Sequence, residues 1–424
     1  MGFFKDQVIE TKHLNGINSY VLPTNVKDVV TISGSILGGT LYSPSKNPQI
    51  STFTTAMLDK GTSNKDKYEI SDALDSVGAE LKFGCTKHHI YFTGHCLNSD
   101  VNMVIEILAD QLKTPAFGND EIDKLKTRMI GQLEQSLEDT KKQALISFLR
   151  ILYPKNHPNY RYKTEECLDF IKAINQKDLK TFHDSAYGIN TMNIAVAGDV
   201  NPKKFNEMII NHFADWKKQS INKIDKKFEI KPVSKNVEKI NIKDKTSADM
   251  YLGQYIGIDR EHTDYYPLML GIYILGGNFS ARLMQTVRDE QGLTYGIGSS
   301  IGGSNFNTDG YWSTWGTFAP DLIEKGQNAT IDQINKWYNK GVFEKELISK
   351  KSTITGSYKV ALDTTSGLVS QILSNAERIK PISYLDDYVG IINNISLEEI
   401  NNAISKYIDP SKLTLVTAGS FNKT

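Results

Sequence analysis

Arg288 and Tyr295 are the residues of this sequence whose types and spacing best suit a chemical role. They stand seven positions apart in a glycine-rich segment. A guanidinium and a phenolic hydroxyl can together orient a carbonyl group or stabilise an oxyanion. Both residues also fit plain structural roles, in which Arg288 is a solvated cation at a helix C-terminus and Tyr295 is a half-buried strand residue. From residue type alone, the structural interpretation is favoured.

The residues around this pair predict a helix, a glycine turn and a strand. Apolar residues at intervals of four predict one buried face of the helix: Phe279, Leu283 and Val287. Gly292 suits a left-handed helix C-cap, and Leu293 can fold back on Val287. Alternation in the strand predicts three residues on one side: Leu293, Tyr295 and Ile297. The pair is therefore expected at a helix end and on the strand that follows.

The same segment resembles the C-terminal-domain signature of the pitrilysin/insulinase family of zinc peptidases, which includes the mitochondrial processing peptidase. The signature appears here as three pieces: Leu275-Gly276-Gly277, Ala281-Arg282-Leu283, and the run from Arg288 to Tyr295. The resemblance implies that Arg288 and Tyr295 reach into a cavity and hold the substrate backbone near the scissile bond. Other segments align in order, so the resemblance covers nearly all 424 residues.

The residues that bind metal in that family are missing. The family carries an inverted zinc motif, H-x-x-E-H, on the helix before a K-G-T turn, which appears here as Lys60-Gly61-Thr62. The resemblance places Thr52, Thr55 and Ala56 at the motif positions, and Gln132 at the third ligand, a glutamate of the long helix. None of the four binds zinc in the usual way or acts as a general base. The resemblance thus implies a chain that holds no metal and does not cut peptide bonds by itself.

A replacement metal site is the alternative to consider. One short stretch contains both imidazole and thiol ligands: Cys85, His88, His89, His95 and Cys96. Strand alternation puts Cys85 and His89 on one face and His88 on the other. Ordinary hairpin side chains are therefore favoured over a structural metal site.

Bulk composition describes an ordinary globular protein of two to three domains. Hydrophobic residues make up 39% and charged residues 23% of the chain, and 49 basic residues balance 49 acidic ones. This balance argues against attraction of the whole surface to nucleic acid. No apolar run is long enough for a membrane span, and the first residues lack the apolar core of a signal peptide. We expect either a cytoplasmic protein or a bacterial periplasmic one whose signal peptide was removed.

Helical and strand patterns alternate along the chain. The predicted helices are 50–58, 63–77, 101–112 and 120–152, and the predicted strands include a hairpin at 79–96 and a strand at 193–197. The hairpin implies antiparallel pairing, so the predicted class is α+β rather than doubly wound. The resemblance refines this class to two homologous α/β halves, each an antiparallel-rich sheet flanked by helices. It implies that the halves form a clamshell like that of the mitochondrial processing peptidase.

Glycines recur at nearly equal spacing in the two halves of the chain. Gly78 and Gly292 lie 214 residues apart, and Gly198 and Gly419 lie 221 apart, which indicates a duplicated domain of about 200 residues. Between the halves, residues 217–245 contain ten lysines and four acids, and they are typical of a solvated linker. The predicted domains are residues 1–216, with the degenerate metal motif, and residues 246–424, with the Arg/Tyr pair.

Loss of the metal residues together with retention of the Arg/Tyr pair resembles the non-catalytic subunit of two-subunit bacterial members of the family. That resemblance implies a heterodimeric zinc metallopeptidase. A homologous partner would supply the intact H-x-x-E-H and the zinc, while this chain binds the peptide substrate. The α subunit of the mitochondrial processing peptidase is another metal-free relative, but its long glycine-rich loop is absent here, where only Gly276 and Gly277 stand. The alternative is a scaffold or peptide-binding homologue with no role in hydrolysis, like respiratory-complex core subunits.

Overall fold

The computed structural model describes residues 4–13, 16–219, 221, 224, 230 and 235–421, and it contains two β-sheets. The strands of the first sheet are β1 (Ile9–Lys12), β2 (Asn18–Pro23), β3 (Val29–Leu37), β4 (Glu80–Cys85), β5 (His89–Leu97) and β6 (Asn193–Gly198). Their order across the sheet is β1-β2-β6-β3-β5-β4. β2 and β6 are parallel, and the other neighbours are antiparallel.

The second sheet repeats the plan of the first. Its strands are β7 (Asn236–Asn241), β8 (Ala248–Tyr255), β9 (Thr294–Gly302), β10 (Tyr311–Phe318) and β11 (Thr414–Gly419), in the order β7-β11-β8-β10-β9. β7 and β11 form its parallel pair, as β2 and β6 do in the first sheet. The glycines that precede the edge strands β4 and β9 share a left-handed backbone, with φ of 63° at Gly78 and 64° at Gly292. These equivalences agree with the predicted duplication, and the predicted α+β class is confirmed.

Helices surround both sheets. The helices of the first half are α1 (Phe4–Gln7), α2 (Ile50–Ala56), α3 (Lys67–Asp75), α4 (Val101–Lys113), α5 (Asn119–Leu137), α6 (Thr140–Leu152), α7 (Thr164–Ala173), α8 (Gln176–Ala186) and α9 (Pro202–Phe213). Those of the second half are α10 (Tyr265–Gly276), α11 (Ile323–Lys340), α12 (Glu344–Ala361), α13 (Thr365–Glu377), α14 (Tyr384–Asn394) and α15 (Leu397–Tyr407). The predicted helices at 50–58, 63–77 and 101–112, the hairpin and the strand at 193–197 all correspond to observed elements.

The chain forms two compact units that are discontinuous in sequence. The first contains Met1–Ile130, Asp169–Ile224 and Ser357–Gly390, and the second contains Gly131–Leu168, Asp225–Gly356 and Ile391–Thr424. In the first unit, α13 packs on β3 and β6 through a core that includes Val369, Ile372 and Ala195. In the second unit, α6 packs on β8 and β11. Each sheet is therefore covered in part by a helix from the opposite half of the sequence.

The single long helix predicted for 120–152 is wrong. It is interrupted between α5 and α6, because Asp139 acts as an N-cap and its carboxylate accepts the backbone N–H of Lys142 at 2.9 Å. The Thr140 hydroxyl also donates to the buried carboxylate of Asp249 at 2.5 Å. These polar contacts start α6 at Thr140, although the apolar residues on both sides continue at helical spacing.

Part of the predicted linker is a strand. Asn236–Asn241 forms β7 at the edge of the second sheet, where it pairs with β11. Five of its six residues are exposed, and Lys239 points out from it, as is usual for a sheet edge that must not attract another strand. A solvated surface strand and a linker have similar composition, which explains the error. Most of 220–234 lies outside the described residues.

Candidate functional site

Arg288 lies on a short π-helix, Met284–Glu290, whose inner face is apolar. Leu283 and Val287 are fully buried, as predicted. The helix ends as the sequence indicates, because the N–H of Gly292 donates to the carbonyl of Arg288 and the N–H of Leu293 donates to that of Val287, both at 3.0 Å. The wider π-helical turn was not predicted. It places a partly exposed guanidinium at the helix end, and such turns are frequent at functional sites.

Phe279 does not belong to the buried helical face, contrary to the prediction. It precedes the first helical residue, and 77% of its surface is exposed. The guanidinium carbon of Arg288 lies 5.8 Å from the centre of the Phe279 ring, within cation–π range. The exposed Phe279 ring and the partly exposed Arg288 guanidinium thus contact each other at this surface.

Tyr295 lies at a β-bulge. Gly296 of β9 pairs with Thr317 of β10, and Thr294 pairs with Phe318, so that Tyr295 between them has no partner residue. The Thr294 hydroxyl fixes this irregularity by accepting the N–H of Gly296 at 3.1 Å. Such a bulge changes the direction in which a side chain points.

The bulge also means that the predicted alternation of β9 is wrong at Tyr295. Tyr295 is 88% exposed, whereas Ile297, expected on the same side, is 3% exposed. Regular pairing would have turned the phenol toward the same side as Ile297. The two candidate residues are therefore both accessible, one on the π-helix and one on the bulged start of β9.

A charged network holds the turn before the π-helix. The guanidinium of Arg282 donates to both carboxylate oxygens of Glu346 at 2.7 and 2.6 Å and to the carbonyl of Gly341 at 2.8 Å. Burial raises the pKa of Glu346, but these hydrogen bonds and one from the backbone outweigh it and keep the pKa below its usual value. The buried Lys350 donates to the side-chain oxygen of Asn278 and to the hydroxyl of Ser280, on either side of Phe279. The network therefore fixes the segment that carries Phe279.

Arg282→Lys is expected to lower the free energy of unfolding by about 1–3 kcal/mol, because an ammonium cannot form the bidentate bond to Glu346. Arg288→Lys is the matched control, since Arg288 makes no such buried contact and its replacement should change stability by less than about 0.5 kcal/mol. Urea denaturation of both variants measures the difference. Equal stabilities would show that the Arg282 network contributes nothing to the fold.

The degenerate motif positions lie on α2 in the first unit. Thr55 is buried, and its hydroxyl donates to the carbonyl of Ser51 at 2.9 Å and lies 2.9 Å from the hydroxyl of Tyr187. The Ser51 hydroxyl donates to Gly38 at 2.6 Å and lies 3.2 Å from the thiol of Cys85. Burial raises the pKa values of both the Tyr187 phenol and the Cys85 thiol, so the whole network is neutral. Neutral hydroxyl groups therefore surround Thr55, one of the residues that the sequence comparison predicts at the metal-motif positions.

Thr55→Val is expected to destabilise the protein by about 1–3 kcal/mol, because it keeps the shape but removes a hydrogen-bond partner of the buried Tyr187 hydroxyl. Thr127→Val is a suitable control. Thr127 makes the same type of bond to a carbonyl four residues earlier, but on an exposed helix face. Thermal unfolding followed by circular dichroism compares the two. A Thr55→Val variant as stable as Thr127→Val would contradict the structural role of the network.

The remaining candidate ligands do not form a metal centre. Gln132 is exposed on α5, and Thr52 and Ala56 are partly buried on α2. Within the described residues, no group of three or more His, Cys, Asp or Glu side chains is placed to hold a metal ion. The hairpin residues are dispersed instead, since Cys85 contacts Ser51 while His95 contacts Thr31 at 3.0 Å. Burial, with a smaller effect of Asp100, raises the pKa of Cys96 to about 12. These residues do not fit a zinc ion.

Comparison with known proteins places the chain in a family. The profile described as "Peptidase M16 inactive domain" matches residues 173–354, and the profile "Insulinase (Peptidase family M16)" matches residues 20–157. A Bacillus subtilis protein described as "Uncharacterized zinc protease YmxG" is 24% identical over 353 residues, which cover 83% of this chain and 84% of that protein. The Helicobacter pylori "Non-peptidase homolog YmxG" is 23% identical over 392 residues, covering 91% and 88%.

A solved structure shows the same fold. The peptidase M16 inactive domain from Pseudomonas fluorescens matches with a TM-score of 0.88 and 23% identity, and the match covers 98% of each chain. Two α+β halves, which share a five-strand order apart from the additional β1 of the first sheet, thus define the class of protein. The chain belongs to the M16 (insulinase) peptidase family, lacks its zinc motif, and is a non-catalytic type of member. No helix among the described residues is long and apolar enough to cross a membrane.

Proposed function

We propose that this protein is the substrate-binding, non-catalytic subunit of a heterodimeric zinc metallopeptidase that acts on peptides in an enclosed cavity. The observation that carries the proposal is the exposure of Tyr295 on a bulge that turns it away from the sheet core. A phenol held in this way has no evident packing role. The partly exposed Arg288, whose guanidinium lies over the exposed Phe279 ring, adds a cationic group that can bind a peptide backbone.

In the assembled enzyme, the homologous partner subunit with an intact H-x-x-E-H supplies the zinc and the general base. Arg288 orients the peptide by hydrogen bonds from its guanidinium to backbone carbonyl oxygens. Tyr295 donates its hydroxyl hydrogen to the reacting carbonyl, or to the tetrahedral oxyanion formed from it. The ring of Phe279 restrains the guanidinium of Arg288, which lowers the conformational entropy lost when the peptide binds.

Reconstitution tests this function directly. The chain and a homologous H-x-x-E-H chain from the same genome are expressed separately and together, and hydrolysis of a quenched fluorescent peptide library is measured. We expect strong hydrolysis only when both chains are present, together with their copurification. If the mixture is no more active than the zinc-bearing chain alone, the protein is instead a scaffold or peptide-binding homologue with no role in hydrolysis.

A further inference from the structure

The paired strands β3 and β5 have one apolar face and one polar face. The apolar face is formed by Val30, Ile32, Ile36, Ile90, Phe92 and Cys96. The polar face is formed by Thr31, Ser33, Ser35, His89, Tyr91, Thr93 and His95. Thr31 stands opposite His95 in the pairing, and Ser33 stands opposite Thr93. Burying a hydroxyl group is unfavourable unless it forms a hydrogen bond, so the hydroxyl groups of this face are expected to have hydrogen-bond partners.

Helix α13 presents a second polar stripe to this face. Ser366, Ser370 and Ser374 recur every four residues, which places them on one side of the helix, and Glu377 follows at its end. The apolar side of α13 packs on β3 and β6. The Thr31 hydroxyl lies 2.7 Å from that of Thr365, and His95 lies between Thr31 and Ser366 at 3.0 and 3.4 Å. The contacts of Thr365 and Ser366 hold the start of α13 beside the polar face of β3 and β5.

Between the two polar surfaces lies a cavity of about 340 Å³. Eight hydroxyl-bearing residues line it: Thr31, Ser33, Thr86, Tyr91, Thr93, Ser366, Ser370 and Ser374. Its volume falls at the lower end of the range of small-ligand sites, about 300–1,000 Å³. All of its lining residues belong to the first compact unit.

The charge of this cavity is unusual. Glu377 is the single carboxylate among its described lining residues, and those residues include no lysine or arginine. The Glu377 side chain is 18% exposed, and its one ion-pair contact in the described structure is with Nδ1 of His89 at 3.9 Å. Burial raises the pKa of Glu377, and the Ser35 hydroxyl beside the carboxyl group opposes this effect only in part. A carboxylate in this situation favours a cationic ligand and disfavours an anionic one.

We propose that this cavity binds a ligand that carries a guanidinium or primary ammonium group, with the Glu377 carboxylate paired to the cation. A guanidinium has five N–H donors and an ammonium three, and the surrounding hydroxyl oxygens accept those that Glu377 does not. The space suits one arginine or lysine side chain, or a small free amine. The site is independent of Arg288 and Tyr295, and neither family profile nor relative names it.

Calorimetric titration of the full chain, without any partner subunit, tests the site. The probes are N-acetyl-arginine amide, its uncharged analogue N-acetyl-citrulline amide, the free diamine putrescine, and a short peptide with one internal arginine. We expect the arginine amide to bind at least tenfold more tightly than the citrulline amide, since only the charged guanidinium can form a charge-assisted hydrogen bond to the Glu377 carboxylate. Binding of the peptide but not of putrescine would identify a basic side chain as the ligand, and the reverse would identify a free amine.

Glu377→Gln should weaken binding of the arginine amide at least tenfold, and Ser370→Ala should weaken it by a smaller factor. Glu207→Gln, at an exposed position of α9, is the matched control and should bind like the unaltered protein. Circular dichroism checks that the variants are folded. Affinity should also fall at acid pH, where protonation makes the Glu377 carboxyl neutral. Equal binding of arginine and citrulline amides, unaltered binding by Glu377→Gln, or no binding at 10 mM probe would each overturn the proposal, although none would affect the peptidase-subunit proposal.

Discussion

The double variant Arg288→Ala/Tyr295→Ala is expected to lower the turnover of the reconstituted heterodimer by at least about 10²-fold, the usual effect of removing a donor to a developing oxyanion. The two residues act on the same peptide group, so the double variant should lose less than the product of the two single effects. Both side chains are exposed or partly exposed, so the fold should survive. Steady-state hydrolysis by the mixed subunits measures the loss.

The control for this experiment is a change of the same residue types elsewhere. Arg128 and Tyr68 are exposed on α5 and α3, and Arg128→Ala/Tyr68→Ala should leave turnover within about twofold. Size-exclusion chromatography of both double variants with the zinc-bearing partner establishes that the dimer forms. Normal turnover by Arg288→Ala/Tyr295→Ala in an intact dimer would rule out the assigned role, and would favour a scaffold in which the pair is a relic.

Local rules in the sequence predicted the elements whose causes are local. Gly292 was identified as a C-cap because a left-handed backbone is accessible to glycine, and its φ of 64° bears this out. The hairpin β4–β5 and the helix α4 followed from periodicity alone. The break at Asp139 was also a local signal, since aspartate is a common N-cap, but the apolar pattern on both sides concealed it.

The features missed in the candidate site depend on distant residues. The bulge at Tyr295 exists because Thr317 and Phe318 of β10 pair with Gly296 and Thr294, a register that β9 by itself does not encode. Phe279 lies outside the buried helical face because Lys350 of α12 donates hydrogen bonds to the residues on either side of it. The cavity at Glu377 could not be predicted either. Alternation in β3 indicates a polar face, but nothing local indicates that α13, from the far half of the chain, packs beside it.

The isolated chain and the heterodimer are expected to differ in their zinc content. We expect the isolated chain to contain no bound zinc after purification in a zinc-supplemented medium, and the heterodimer to contain one ion, carried by the partner. Treatment with a chelator should abolish hydrolysis by the heterodimer, and added zinc should restore it, because the described residues of this chain include no alternative metal ligand set. Plasma mass spectrometry of each purified species measures the metal content.

The physical basis of this expectation is the chemistry of the motif helix. Structural and catalytic zinc sites use thiolate, imidazole and carboxylate ligands, whereas α2 offers two threonines and an alanine at the three motif positions. The Thr55 hydroxyl already donates its hydrogen to the Ser51 carbonyl, and burial raises the pKa of Tyr187 in the same network, which disfavours an ionised group there. Chelation should therefore leave the unfolding temperature of the isolated chain unchanged, as a control for metal-dependent folding. A stoichiometric zinc ion in the isolated chain, accompanied by peptide cleavage, would mean that the protein is itself the catalytic subunit.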